Sequence, residues 1–243
     1  MDILKDFEKK YTPKTIDDIV YADDETRVRI SDLVSGIKPF PVREGKCGIL
    51  LYGIPGTGKS ALAKLLPDAM EMVRSGSDAG NDAMYERITS GNNGAALLAK
   101  IEQAAYTYPL QASQHYFVLD EVDRLKTDAM DNLKSVMNIP GSVFILTTNF
   151  FQRIEPGVIS RCHSISFNAA PDANWLPLAR RILNDAGVGG VSDTELLDVI
   201  ASGKGSARDI LDKVQNLVIK VYRANPPATN PNSSIAPSAT TMP

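Results

Sequence analysis

The sequence predicts an α/β fold: a parallel five-stranded sheet flanked by helices, followed by a small helical domain. Three observations lead there. Five short apolar runs recur at Cys47–Tyr52, Tyr85–Thr89, Tyr116–Leu119, Val143–Thr147 and Ser164–Phe167. Helical patterns alternate with them near Ser60–Leu66, Ala95–Ala105 and Asp128–Asn138, the arrangement that buries a parallel sheet on both faces. From Ala173 to Arg223 the strand signal stops and only amphipathic stripes remain.

Taken in order, a charged N-terminal segment precedes an acidic helix pattern near Asp23–Val34, and the first apolar run follows. Gly76 to Asp82, rich in glycine and aspartate, reads as a surface loop before the second run. After Pro171 come three stripes: Leu176, Leu178, Ile182 and Leu183; then Leu196, Leu197, Val199 and Ile200; then Ile210, Leu211, Val214, Leu217, Val218 and Val221. The expected organisation is an α/β domain over 1–170, a helical domain over 171–224 and a tail over 225–243. That tail has no charged residue and carries five prolines, a composition expected to stay disordered.

Chemistry enters at Gly53 to Ser60, which reads G-I-P-G-T-G-K-S between a strand pattern and a helix pattern. This is a complete phosphate-binding loop. Gly53, Gly56 and Gly58 let successive backbone N–H groups turn toward phosphate oxygens, and the next helix begins with its positive end at the same place. Lys59 is expected to reach the β- and γ-phosphates and Ser60 to ligate Mg²⁺. The second apolar run of chemical interest, Tyr116-Phe117-Val118-Leu119, ends in Asp120-Glu121. Asp120 is expected to hold Mg²⁺, and Glu121 to orient and deprotonate a water. The next run ends in Thr148-Asn149, at the carboxyl edge where open α/β sheets bind ligands, so Asn149 is expected to touch the γ-phosphate or the attacking water.

These motifs together resemble the AAA+ ATPases, and within them the clamp-loader clade typified by replication factor C small subunits. The resemblance covers roughly Lys9 to Arg223. It identifies Lys59 and Ser60 with Walker A, Asp120 and Glu121 with Walker B, and Asn149 with sensor 1. Gly53, Ile54, Pro55, Gly56, Thr57, Gly58, Lys59, Ser60 and Ala61 become the nucleotide-binding set, joined by Ile19 and Val20 of segment 9–21, which is similar to the segment that frames adenine. Ser160-Arg161-Cys162 matches the clade's Ser-Arg-Cys motif, which implies that Arg161 is an arginine finger for a neighbouring subunit. Gly205-Ser206-Ala207-Arg208-Asp209 looks like the sensor 2 segment of a lid, with Arg208 directed at the γ-phosphate. The resemblance further implies ATP and Mg²⁺ as cofactors, a homo- or hetero-oligomeric ring, and DNA and a sliding clamp as partners. A collar domain, usual in that clade, is not expected here, and Tyr21 stands where the clade usually has glycine.

Composition sets the remaining bounds. With 43% hydrophobic and 23% charged residues and a net charge of -3, nothing pushes the whole chain toward nucleic acid. A DNA contact therefore needs a local basic face, for which Arg124, Lys126 and Lys134 are the candidates. Two cysteines, Cys47 and Cys162, do not suggest a disulfide framework or a zinc site. No signal peptide or membrane-spanning run is evident, so a cytoplasmic or other intracellular soluble protein is expected. Three functions remain in play: a clamp-loader-like ATPase in DNA replication or repair, a protein-remodelling ATPase, and a nucleotide-gated adaptor that does not hydrolyse.

Overall fold

The computed structural model describes residues 6–42 and 45–224. The expected disordered tail lies outside the described residues.

Five parallel strands form one sheet in the order β2-β3-β4-β1-β5. They are β1 (Gly48–Tyr52), β2 (Ala83–Arg87), β3 (His115–Asp120), β4 (Ser142–Thr148) and β5 (Cys162–Ser166). The three central strands are apolar on both faces, and their period-two alternation sorts side chains into two cores. Leu50, Phe117, Leu119, Phe144 and Leu146 point to one face, covered by α4 (Ala95–Ala105) and α5 (Thr127–Val136). Ile49, Leu51, Tyr116, Val118, Val143 and Ile145 point to the other, covered by α2 (Asp24–Ser35) and α3 (Lys59–Ser75).

Where elements differ from the sequence expectation, packing is the cause. Helix α3 continues nine residues past Leu66 and carries Pro67 inside it. Fully buried Met70 and Glu71 in the later turns outweigh the hydrogen bond that the proline forfeits. The helix stops at Gly76, whose φ of +78° closes a left-handed cap. Strand β2 ends two residues before its expected end because it is the sheet's edge: its half-exposed residues blur the apolar signal, while buried Ile88 lies just beyond it. The Gly76–Asp82 loop is less superficial than expected. Asp82 is buried and accepts the N–H groups of Leu110, Gln111 and Ala112.

Helices α7 (Asp172–Asp185), α8 (Asp193–Ala201) and α9 (Ala207–Ala224) surround a third core. That core also takes Phe7 and Tyr11 from α1 (Phe7–Tyr11), and the Tyr11 hydroxyl donates to Asp185 at 3.0 Å. The start of the described chain thus packs with its C-terminal helices. Helix α9 in turn meets the sheet unit directly, since the Ala207 N–H donates to the Gly56 carbonyl at 2.8 Å. Among the described residues no helix is long and apolar enough to cross a membrane.

Candidate functional site: a phosphate cleft at the carboxyl edge of the sheet

The loop from Gly53 to Gly58 leaves β1 at its carboxyl end and turns into α3. Its glycines carry the turn: φ is +147° at Gly53, +84° at Gly56 and +100° at Gly58, values that side-chain-bearing residues rarely adopt. Space is limiting as well, because a Cβ at Gly53 would lie 2.6 Å from the Phe167 carbonyl oxygen.

Lys59, 6% exposed, folds over this loop and donates to the carbonyls of Gly53 (3.0 Å) and Ile54 (2.6 Å). No carboxylate lies within ion-pair distance of it among the described residues. Burial lowers its pKa to about 8, against a smaller opposing pull from Asp120 and Asp123. A buried ammonium without a carboxylate partner, beside a glycine loop at a helix start, suits a bound anion.

Asp120 stands opposite at the end of β3. Its Oδ1 accepts from Ser60 Oγ at 2.6 Å and from Thr147 Oγ1, and its Oδ2 accepts from Tyr85 at 2.9 Å. Burial tends to raise its pKa, but these three donors outweigh it and hold the carboxyl below its usual range. An ionised carboxylate touching the first-turn serine of the loop helix is an oxygen donor set suited to Mg²⁺.

Glu121 adopts a left-handed backbone conformation, φ +61° and ψ +47°, which costs a non-glycine residue about 1–2 kcal/mol. Its N–H is held by Thr147 Oγ1 at 3.1 Å. The carboxylate is clasped by two arginines, with Arg87 Nη2 2.7 Å from Oε1 and Arg124 Nε 2.7 Å from Oε2. The Arg124 contact is an ion pair without hydrogen-bond alignment, since Oε2 is buried with no directional donor. Asn149 lies past the end of β4, in a turn fixed by Thr148, whose hydroxyl donates to Asp123 at 2.6 Å and accepts the Phe150 N–H at 2.9 Å.

A cleft of about 430 Å³ brings Lys59, Ser60, Asp120, Glu121, Asn149 and Arg208 together. A second cavity of about 650 Å³ shares Gly58, Ala61, Ala207 and Arg208 with it and continues to Ile19, Val20, Thr57 and Trp175. Together they have a polar end, lined by Lys59 and Asp120, and a larger end lined by Ile19, Val20 and Trp175. Arg161 is not in either. It sits beside the start of β1, where its carbonyl accepts the N–H groups of Cys47 and Gly48. Five residues of strand, about 16 Å at the usual rise, separate that point from Gly53.

Sequence reasoning missed Tyr85, Arg87 and Thr147, which lie on strands whose ends looked like plain structure. Their signal was available: polar side chains at the carboxyl ends of parallel strands beside the Asp120 tip. Of the candidates for a basic face, Arg124 pairs with Glu121 (2.7 Å) and Lys134 with Glu155 (3.3 Å) and Asp131 (3.4 Å), while Lys126 is exposed.

Residues 49–169 match the ATPase family associated with various cellular activities (AAA). Replication factor C subunit 4 of Caenorhabditis elegans is 27% identical over 86% of this chain and 61% of its own length. The chain belongs to the AAA ATPases. Within them it is similar to replication factor C small subunits, including small subunit 2 of Pyrobaculum islandicum, 28% identical over 85% of this chain and 62% of that protein. The chain thus spans about three fifths of the length of these relatives. Among solved structures, the Thermotoga maritima RuvB Holliday junction branch migration motor shares the fold, with a TM-score of 0.63 at 15% identity over 88% of this chain and 72% of that one.

Proposed function

We propose that this chain binds ATP with Mg²⁺ in the cleft and hydrolyses it as one subunit of an oligomeric, clamp-loader-like ATPase acting in DNA replication or repair inside the cell. The observation that carries the reading is the convergence of Lys59, Ser60, Asp120, Glu121 and Asn149 on one cleft beside a nucleoside-sized cavity. Lys59 and the loop N–H groups bind the β- and γ-phosphates. Ser60 and Asp120 hold the metal, and Ile19 and Val20 border the base. Mg²⁺ held there would neutralise phosphate charge. Asn149 orients the attacking water and Glu121 accepts its proton, once the carboxylate is released from Arg87 and Arg124. Arg208, at the start of α9, lines both cavities and in this reading meets the γ-phosphate.

Position supports Arg161 acting on a neighbour. At the far end of β1 it cannot reach its own cleft, so its guanidinium serves a second subunit or none. The sliding clamp and DNA belong to the same proposal, supported by likeness to replication factor C subunits. A steady-state ATPase assay with and without primed DNA tests it. Turnover stimulated by DNA is the expected result. Turnover indifferent to DNA would point to protein remodelling, and absence of turnover to a nucleotide-gated adaptor.

A further inference from the structure

Arg161 ends helix α6 (Pro156–Ser160), which at five residues is too short to be fixed by its own hydrogen bonds. The α5 segment holds it at both ends. At the start, Glu155 accepts the Val158 N–H at 3.1 Å and pairs with Lys134 of α5 at 3.3 Å. At the end, Arg161 Nε donates to Oδ1 of Asn138, two residues past α5, at 2.9 Å. The Arg161 Nη1 donates to the Gly157 carbonyl at 2.8 Å. The seam between the two helices is tight, since a Cβ on Gly157 would lie 2.6 Å from Lys134 Cδ and 2.7 Å from Glu155 Oε2.

Two of the five guanidinium N–H groups are therefore used to fix the group, and the other three have no partner among the described residues. The main chain of Arg161 is fixed too, through its carbonyl on Cys47 and Gly48. A long side chain is held at its base and through two nitrogens of its fork, with Nη2 left to bond.

We infer that Asn138 is a positioning residue for Arg161: it orients the guanidinium that this subunit offers to its neighbour's phosphates. The inference rests on the proposed action of Arg161 in trans. Asn138 touches no part of its own cleft, and its effect passes through Arg161 alone. Lys134 and Glu155 serve the same end by docking α6 on α5, which gives Lys134 a role away from DNA.

The test is Asn138→Ala, a change at an exposed position that leaves the core intact. Its turnover number should fall roughly 10- to 100-fold, as small misplacements of a reacting group do, at an unchanged assembly mass. Its KM for ATP should stay within about twofold, because only transition-state charge loses its partner. Mixing it with Glu121→Gln should recover activity, since some interfaces then pair an intact Glu121 with a well-held Arg161. On an Arg161→Ala background, Asn138→Ala should cost nothing further. An unchanged turnover number in Asn138→Ala, where Arg161→Ala is impaired, overturns the inference and leaves the trans reading standing. So does an added loss on the Arg161→Ala background. Full activity in Arg161→Ala itself overturns the trans reading, and this inference with it.

Discussion

Replacing Lys59 with methionine should make the protein more stable without nucleotide and less stable with it. The charged ammonium is buried without a carboxylate partner, and burial brings its pKa from 10.5 to about 8. That displacement corresponds to about 3 kcal/mol against the charged form at neutral pH. Methionine keeps the stem's shape but leaves the Gly53 and Ile54 carbonyls without their donor, returning about 1–2 kcal/mol of the gain. A net stabilisation of about 1–2 kcal/mol remains. The sign of its pH dependence follows from linkage. Below pH 8 Lys59 is charged both folded and unfolded, so the full penalty applies. As pH rises through 8 the folded protein releases the proton while the unfolded chain keeps it to about 10.5. The penalty on the native enzyme is relieved across that window, and the variant's advantage fades with it. Mg-ATP at a hundred times its dissociation constant should add about 2.7 kcal/mol to the unsubstituted protein and nothing to the variant, reversing the order. Urea unfolding at pH 7 and pH 10, with and without Mg-ATP, reads all of this. A methionine variant less stable than the parent at pH 7 without nucleotide would refute the desolvation argument. One equally stabilised by Mg-ATP would refute the placement of the phosphates.

Three further outcomes are expected. Glu121→Gln should keep ATP affinity in a filter-binding assay while turnover falls roughly 10²–10⁴-fold, because only the proton acceptor is lost. Arg87→Ala should raise DNA-free turnover, since Glu121 Oε1 is then released from its 2.7 Å ion pair; an unchanged rate would show that the clasp does not restrain the carboxylate. Gly48→Ala should lower stability by about 1–3 kcal/mol in thermal unfolding, because its Cβ would lie 2.6 Å from Cys162 Sγ and 2.9 Å from Met137 Cε in the middle of the sheet.

The sheet was legible in the sequence because β1, β3 and β4 are buried on both faces and so are uninterrupted apolar runs. Edge strands were harder. Half of β2 faces solvent, so its own pattern set its bounds two residues off. The later turns of α3 were hidden behind Pro67, a local stop signal that tertiary burial overrides. At the cleft, Lys59 and Ser60 could be placed from the loop's own eight-residue spacing, and Asp120 from the acidic end of an apolar strand pattern. The clasp on Glu121 could not, since Arg87 and Arg124 reach it from different elements and nothing in either segment marks an arginine as paired. Position also separated Arg161 from the cleft more clearly than sequence did: only the pairing of β1 with β5 shows that it stands at the opposite edge.

The central claim, that two subunits share each ATP through Arg161 and Glu121, is tested most directly by mixing their variants. Arg161→Ala alone should hydrolyse ATP roughly 10³–10⁵ times more slowly while still binding it. Glu121→Gln alone should be similarly impaired for a different reason. Combined in one assembly, they should recover a substantial part of the lost turnover, because some interfaces then join an intact Glu121 to an intact Arg161. A mixture shown by native mass to co-assemble, yet no more active than its separate components, would contradict the account.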